Sequence, residues 1–215
     1  DMQIPQNIVL GGLDKAWSRL PNLDPEDVCR RSGAAYDPNQ QVYTLTSLGQ
    51  QIRIHPAQHN INSDSGLGRY LVQDLAELYW LSAVWYLLQA KDAQCTQRLL
   101  KPQDLPGGDI FAKGSHVLPL DELASRYGTQ PEALLKAGEL LASQPQDLGD
   151  AALQLWPFPR LPLVIVLWAE DEEFPARATL LLDSSAELHL PVDILWSTTM
   201  FSLQLLFKAD QHDTH

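Results

Sequence analysis

The segment GGDIFAKGSH, residues 107–116, carries the side chain with the widest chemical range in the chain, His116. An imidazole ligates metals, including the iron or cobalt of a macrocycle, and it moves protons near neutral pH. His116 follows a glycine-rich turn and precedes Val117-Leu118-Pro119, so it is expected at the edge of the core on a stiff backbone. Phe111 offers an apolar wall for a flat ligand, and Trp168 offers a second. Gly107, Gly108, Phe111, His116 and Trp168 therefore form the candidate cofactor set. Gly107, Gly108 and Gly114 do not spell GxGxxG, and no Lys-Ser/Thr pair follows them, so a phosphate loop is not expected. Positive φ at a tight turn is the simpler reason for these glycines. A histidine bonded to a neighbouring carbonyl, steadying the loop, is the competing reading of His116.

The acidic run Glu170-Asp171-Glu172-Glu173 follows an apolar stretch, and Asp183 ends the next one. Asp171, Glu172 and Glu173 could bind Mg²⁺ or Ca²⁺, or act as general acid and base. The competing reading is a solvated hairpin tip. In a regular hairpin Asp183 lies some eight residues of strand, roughly 25 Å, from that tip, too far to share one ion. His55 and His59 are four apart, but Pro56 between them removes a helical metal pair. Ser115 and His116 are adjacent and so cannot aim at one another, and no GxSxG occurs. His212 and His215 fall in the expected tail. The two cysteines, Cys29 and Cys95, are far apart and form no CxxC, which excludes a cluster or zinc ribbon held by this chain alone.

These groups need elements to position them. The 215 residues suit one core, and 45% hydrophobic with 20% charged residues is ordinary globular composition. A net charge of −12 repels phosphate backbones and anionic membrane surfaces, so neither nucleic acid nor membrane is an expected partner. The first ten residues lack a basic region followed by an apolar core; no signal peptide is expected, and a cytoplasmic location is.

The spacing of Leu13, Trp17 and Leu20 predicts a first helix stopped by Pro21. Asp24 and Pro25 start a second that ends on Gly33. Residues 34–56 alternate as a three-stranded antiparallel meander, and residues 57–68 read as a loop. The stretch 69–91 predicts a long central helix, with Leu71, Leu75, Leu78, Trp85 and Leu88 on one face. Two short helices follow, the first started by Asp121 and the second capped by Thr129 with Glu132. The proline-bearing stretch 144–162 reads as loop. Residues 164–168 predict a strand buried on both faces, ARATLLLD a second, and the residues after Pro191 a C-terminal helix. The expectation is a single α+β domain over 1–215, a mainly antiparallel sheet packed against the central and C-terminal helices, with residues 209–215 a disordered tail.

With AAYDPNQQVYTLTSLGQQIRI, GGDIFAKGSHVLPLDELASRYG and PRLPLVIVLWAEDEEFPARATLLLDSSAELHLPVD in hand, the chain resembles an uncharacterised prokaryotic domain-of-unknown-function family. That family is common in anaerobes and sometimes fused to iron–sulfur modules. This chain lacks the cysteine-rich module, so no cluster chemistry carries over to it. The resemblance implies metabolism of metal-containing cofactors, with cobalamin (a corrinoid), haem or another tetrapyrrole as ligand. The leading expectation is then a cofactor-binding accessory protein with His116 as the contacting residue. The alternatives are a metal-dependent enzyme using the acidic run, or an adaptor for a partner protein.

Overall fold

The computed structural model describes residues 6–212, and side chains from 12 to 211. Helix α1 (Gln6–Arg19) is followed by α2 (Pro25–Ser32). The Asp24 side chain accepts from the Glu26 N–H, Pro25 takes the first helical position, and Gly33 closes the helix at φ +76°. All three signals are local, and all three act as expected.

The meander has four strands, not three: β1 (Ala35–Asp37), β2 (Val42–Ser47), β3 (Gln50–His55) and β4 (Asn60–Asn62), antiparallel in that order. The fourth lies in the stretch expected as a loop. It is short, and its one apolar residue, Ile61, sits opposite Ile54. Between β2 and β3, Leu48 and Gly49 both have positive φ (50° and 75°), the two-residue turn that matches strand twist. Leu48 is fully buried and its N–H donates to the Trp156 carbonyl, which fastens the hairpin tip to the second sheet.

The central helix begins earlier than expected, as α3 (Gly66–Arg69), and reaches α4 (Ala76–Gln89) through one wide turn at Tyr70–Asp74. There the Leu75 N–H bonds the Tyr70 carbonyl, a five-residue step. The Trp80 indole N–H donates to the Val72 carbonyl within that turn at 2.8 Å. Trp80→Phe keeps most of the packing and removes this donor. It is expected to destabilise the fold by about 1–2 kcal/mol, read from the urea midpoint; an unchanged midpoint would mean that solvent serves Val72 equally well.

The second sheet is five-stranded, in the order β5-β9-β8-β7-β6. It comprises β5 (Leu99–Leu100), β6 (Gln144–Pro145), β7 (Ala151–Phe158), β8 (Leu161–Trp168) and β9 (Arg177–Asp183). Strand β7 corrects the loop expected for that stretch. Its prolines hid it, but Pro157 sits where the register shifts between Leu155 and Phe158, a place where a missing N–H is tolerated. Helices α5 (Leu120–Tyr127) and α6 (Pro131–Glu139) precede β6. Gln130, not Thr129, stands at the α6 N-cap, without a side-chain bond.

Short α7 (Ala186–His189) and long α8 (Val192–His212) complete the chain. Because α8 runs to His212 and buries Ala209, the tail does not start at 209; residues 213–215, with His215, lie outside the described residues. Strand β8 is buried on both faces. Leu163, Ile165 and Leu167 join the main core with residues of α4 and α8, while Val164 and Val166 join a smaller cluster on the other face. The result is a single α+β domain with antiparallel sheets. Among the described residues no helix is long and apolar enough to cross a membrane.

Candidate functional site

The GGDIFAKGSH loop is built as turn structure. Gly107 has φ +75°, and a Cβ on Gly108 would stand 2.1 Å from the Pro102 carbonyl oxygen, so only glycine fits there. Phe111 is buried in the main core. His116 is exposed, its ring edge-on to Trp196 with centroids 4.8 Å apart. Its carbonyl, not its ring, makes the anchoring bond, accepting from the Trp196 indole N–H at 2.8 Å. Trp168 belongs to the small cluster on the far face of the five-stranded sheet, where the Arg177 guanidinium covers it at 4.6 Å. Phe111 and Trp168 are thus on opposite sides of that sheet. His116, Phe111 and Trp168 do not line one pocket.

The acidic run is an exposed hairpin tip. Asp171 Oδ1 accepts from the N–H groups of Glu173 and Phe174, at 2.8 and 2.7 Å, so it holds the turn together. Asp183 stands at the other end of β9, paired with Leu99, as the strand geometry required. Among the described residues no three His, Cys, Asp or Glu side chains come together to hold a metal ion.

A different set of titratable groups does gather, around the end of β9. Asp183 is buried and accepts from Thr96 N–H and hydroxyl, Gln97 N–H, and Ser185 N–H and hydroxyl. Burial acts to raise its pKa, but the bonds from Ser185 and Thr96 outweigh it and hold the carboxyl below its ordinary value. His189 is fully buried; its Nδ1 accepts from the Lys91 N–H and its Nε2 has no partner. Burial, reinforced by the Arg160 guanidinium, lowers it to about 4. The Tyr86 hydroxyl accepts from the Arg160 N–H at 3.0 Å and donates to the Ser32 carbonyl at 2.7 Å. Nearby Cys95 is half-buried, and burial pushes its thiol up.

Cysteine, histidine and aspartate are the types that nucleophilic catalysis uses, but here each is in the wrong state. The thiol is protonated, the imidazole is sealed, and the carboxylate's lone pairs are occupied. This corner braces the fold. The sequence places Asp183 at a strand end but gives no sign of Thr96, 87 residues away, as its partner.

A concave feature lies elsewhere, on the first sheet. Tyr36 on β1 stands opposite Tyr43 on β2, their ring centroids 4.7 Å apart and their planes tilted by 48°. With Pro21, Pro25, Pro56 and Leu23 they line a cavity of about 220 Å³. Tyr43 is 2% exposed. Burial raises this phenol, and Cys29, Tyr36 and Asp24 raise it further, while Arg31 acts the other way. Alternation showed Tyr43 as a strand residue; the turn at Asp37-Pro38-Asn39 was the signal that could have paired it with Tyr36. A wider groove of about 450 Å³ lies where Gly49 and Thr46 approach Trp156 and Pro159, lined mainly by apolar side chains and backbone.

No curated protein and no solved structure matches the chain. One family model does, over residues 24–204, a span that holds Tyr36, Tyr43, His116, Asp183 and His189. The chain therefore belongs to the family described as domain of unknown function DUF3786.

Proposed function

We propose that this protein is a non-enzymatic accessory protein of the cytoplasm that binds a small molecule in the Tyr36–Tyr43 pocket. The observation that carries this reading is the cavity itself, where the Tyr36 and Tyr43 phenols and Gln41 are the polar side chains in a lining otherwise of prolines, leucines and Ala57. A ligand carrying a matching polar atom would take the place of solvent at those polar groups. At about 220 Å³ the cavity falls below the roughly 300–1,000 Å³ of drug-sized sites, so the ligand is compact. The −12 charge favours a partner other than nucleic acid.

A tetrapyrrole, haem or cobalamin, is the second reading, and its support is His116. The ring is solvent-accessible beside Val117, which is 55% exposed, and Trp196 backs it. A macrocycle would lie on this surface and not between Phe111 and Trp168.

A compact-fragment screen followed by amide chemical-shift mapping tests the first reading, with haem and cobalamin titrated in parallel. Shifts centred on Tyr36 and Tyr43 that Tyr43→Phe weakens are expected. A Soret or corrin-band change abolished by His116→Ala would move the site to the loop. A screen in which no fragment shifts the pocket amides would overturn the pocket reading.

A further inference from the structure

We infer that the outer face of the five-stranded sheet is the contact surface of a symmetric dimer. A second copy of the chain lies face to face on it with strands reversed, so that the acidic end of each sheet meets the basic end of the other. This surface is separate from the Tyr36–Tyr43 pocket, and the inference stands without it.

Strand β8 carries the first argument. An antiparallel sheet with one face in water alternates apolar and polar side chains. Along β8 the residues pointing away from the main core are instead Val164, Val166 and Trp168. Ala152, Leu99 and Leu181 complete their cluster, and all six residues belong to the sheet itself. Among the described residues no helix contributes to it. Helices α5 to α8 pack on the opposite face, where Leu123, Leu134, Ala186 and Leu195 join the main core. Val164 and Val166 are buried beneath larger neighbours, while Trp168, Leu181 and Leu99 are half-buried and present the apolar surface. Gly149 lies against Val166, which sets Leu148, 41% exposed, at the rim; Phe174 is 65% exposed beyond it.

Charge carries the second. Asp147, Asp150 and the run Glu170-Asp171-Glu172-Glu173 are exposed at the end of the sheet where β8 stops and β9 starts. Arg177 is also at that end, but its guanidinium lies over the Trp168 ring. At the other end exposed Arg98 and Lys101 flank β5, and Arg160 sits in the turn between β7 and β8. Asp183 is there too, but it is buried and its oxygens are taken by Thr96, Gln97 and Ser185. From Arg177 to Asp183 the strand spans about 20 Å, so the two ends are electrically distinct. A copy turned by half a rotation about an axis across the strands brings apolar centre to apolar centre and acid to base. An axis along the strands would set acid against acid. Three strands of seven or eight residues, edged by two short ones, cover about 20 by 25 Å. Two such faces bury about 1,000 Å² together, the low end for a specific contact, so the dimer is a weak one.

Sedimentation velocity of the whole chain, up to about 0.5 mM and in low and high salt, is the test. A monomer–dimer equilibrium with a dissociation constant of about 10–100 µM is expected at low salt. High salt should weaken it at least about ten-fold, because it screens the charged ends. Leu181→Lys, at a half-buried position on the face, should abolish it. Reversing the acidic end (Glu172→Lys with Glu173→Lys) or the basic end (Arg98→Glu with Lys101→Glu) should each leave monomers. All four positions are exposed, and an unchanged circular dichroism spectrum checks the fold. An equimolar mixture of these two variants should dimerise, because one is then positive at both ends and the other negative at both. A parent that stays monomeric at the highest concentration overturns the proposal. So does a dimer that both reversals leave intact, since it uses another surface. Monomeric variants that fail to pair on mixing overturn the reversed-strand arrangement.

Discussion

Asp183→Ala is expected to cost about 3–5 kcal/mol of stability, the largest loss from any single substitution considered in this molecule. The carboxylate serves five donors on two segments. Thr96 and Gln97 precede β5, and Ser185 follows β9 and leads into α7. Alanine leaves the Ser185 N–H and hydroxyl without an acceptor where the residue is 2% exposed, and it frees the 95–97 segment from the sheet end. Asp183→Asn keeps one acceptor oxygen and is expected to lose about half as much, since hydrogen bonds to a charged group are about twice as strong as neutral ones. The sign with pH follows from the lowered pKa. The carboxylate's contribution is fully present above its ordinary value of 3.8 and is lost as pH falls through the lower folded value. Urea unfolding of the three proteins at neutral pH measures the series. An alanine variant within 1 kcal/mol of the parent, a margin of roughly one ordinary hydrogen bond, would mean that water replaces the carboxylate.

What was legible in the sequence was what is decided locally. Asp24, Pro25 and Gly33 mark α2 within ten residues, and the run from Val164 to Trp168 announces β8 because a strand covered on both faces has no polar side to interrupt it. Strand β7 was hidden because proline weighs against a strand wherever the bulge that accommodates it cannot be seen. The residues of the cofactor set are held apart for a related reason. Phe111 and Trp168 are both aromatic and both near buried strands, yet alternation along β8 sends Trp168 to the face of Val164 and Val166, away from the core that holds Phe111. The Tyr36–Tyr43 pairing was half legible, since Asp37-Pro38-Asn39 marks the turn but the register is fixed at Gln41 with φ +57°, a conformation that glutamine does not advertise. Asp183 was visible as a strand end and His189 was not marked at all; their partners Thr96 and Lys91 are 87 and 98 positions away, and no local pattern reports such a pairing.

His189 should make the fold acid-sensitive in a defined window. The Lys91 N–H donates to Nδ1, so the neutral ring carries its proton on Nε2. Protonating Nδ1 would abolish that bond and place a second positive charge near the Arg160 guanidinium inside a fully buried site. Burial and that guanidinium accordingly lower the folded pKa to about 4, against an ordinary 6.5. The fold favours the neutral ring, so this contribution is fully present above about pH 6.5 and drains away as pH falls toward 4. Integrated over that interval it amounts to about 3 kcal/mol. His189→Asn isolates it, because the amide oxygen can still accept from Lys91 but does not titrate. The variant is expected to be less stable than the parent at pH 7.5 and to lose less stability on going to pH 5, so that the two curves converge. Unfolding free energies from urea titrations at pH 7.5, 6 and 5 test this, with the carboxylates contributing equally to both proteins. Parallel curves would place the acid-sensitive proton uptake on another group and leave His189 a packing residue only.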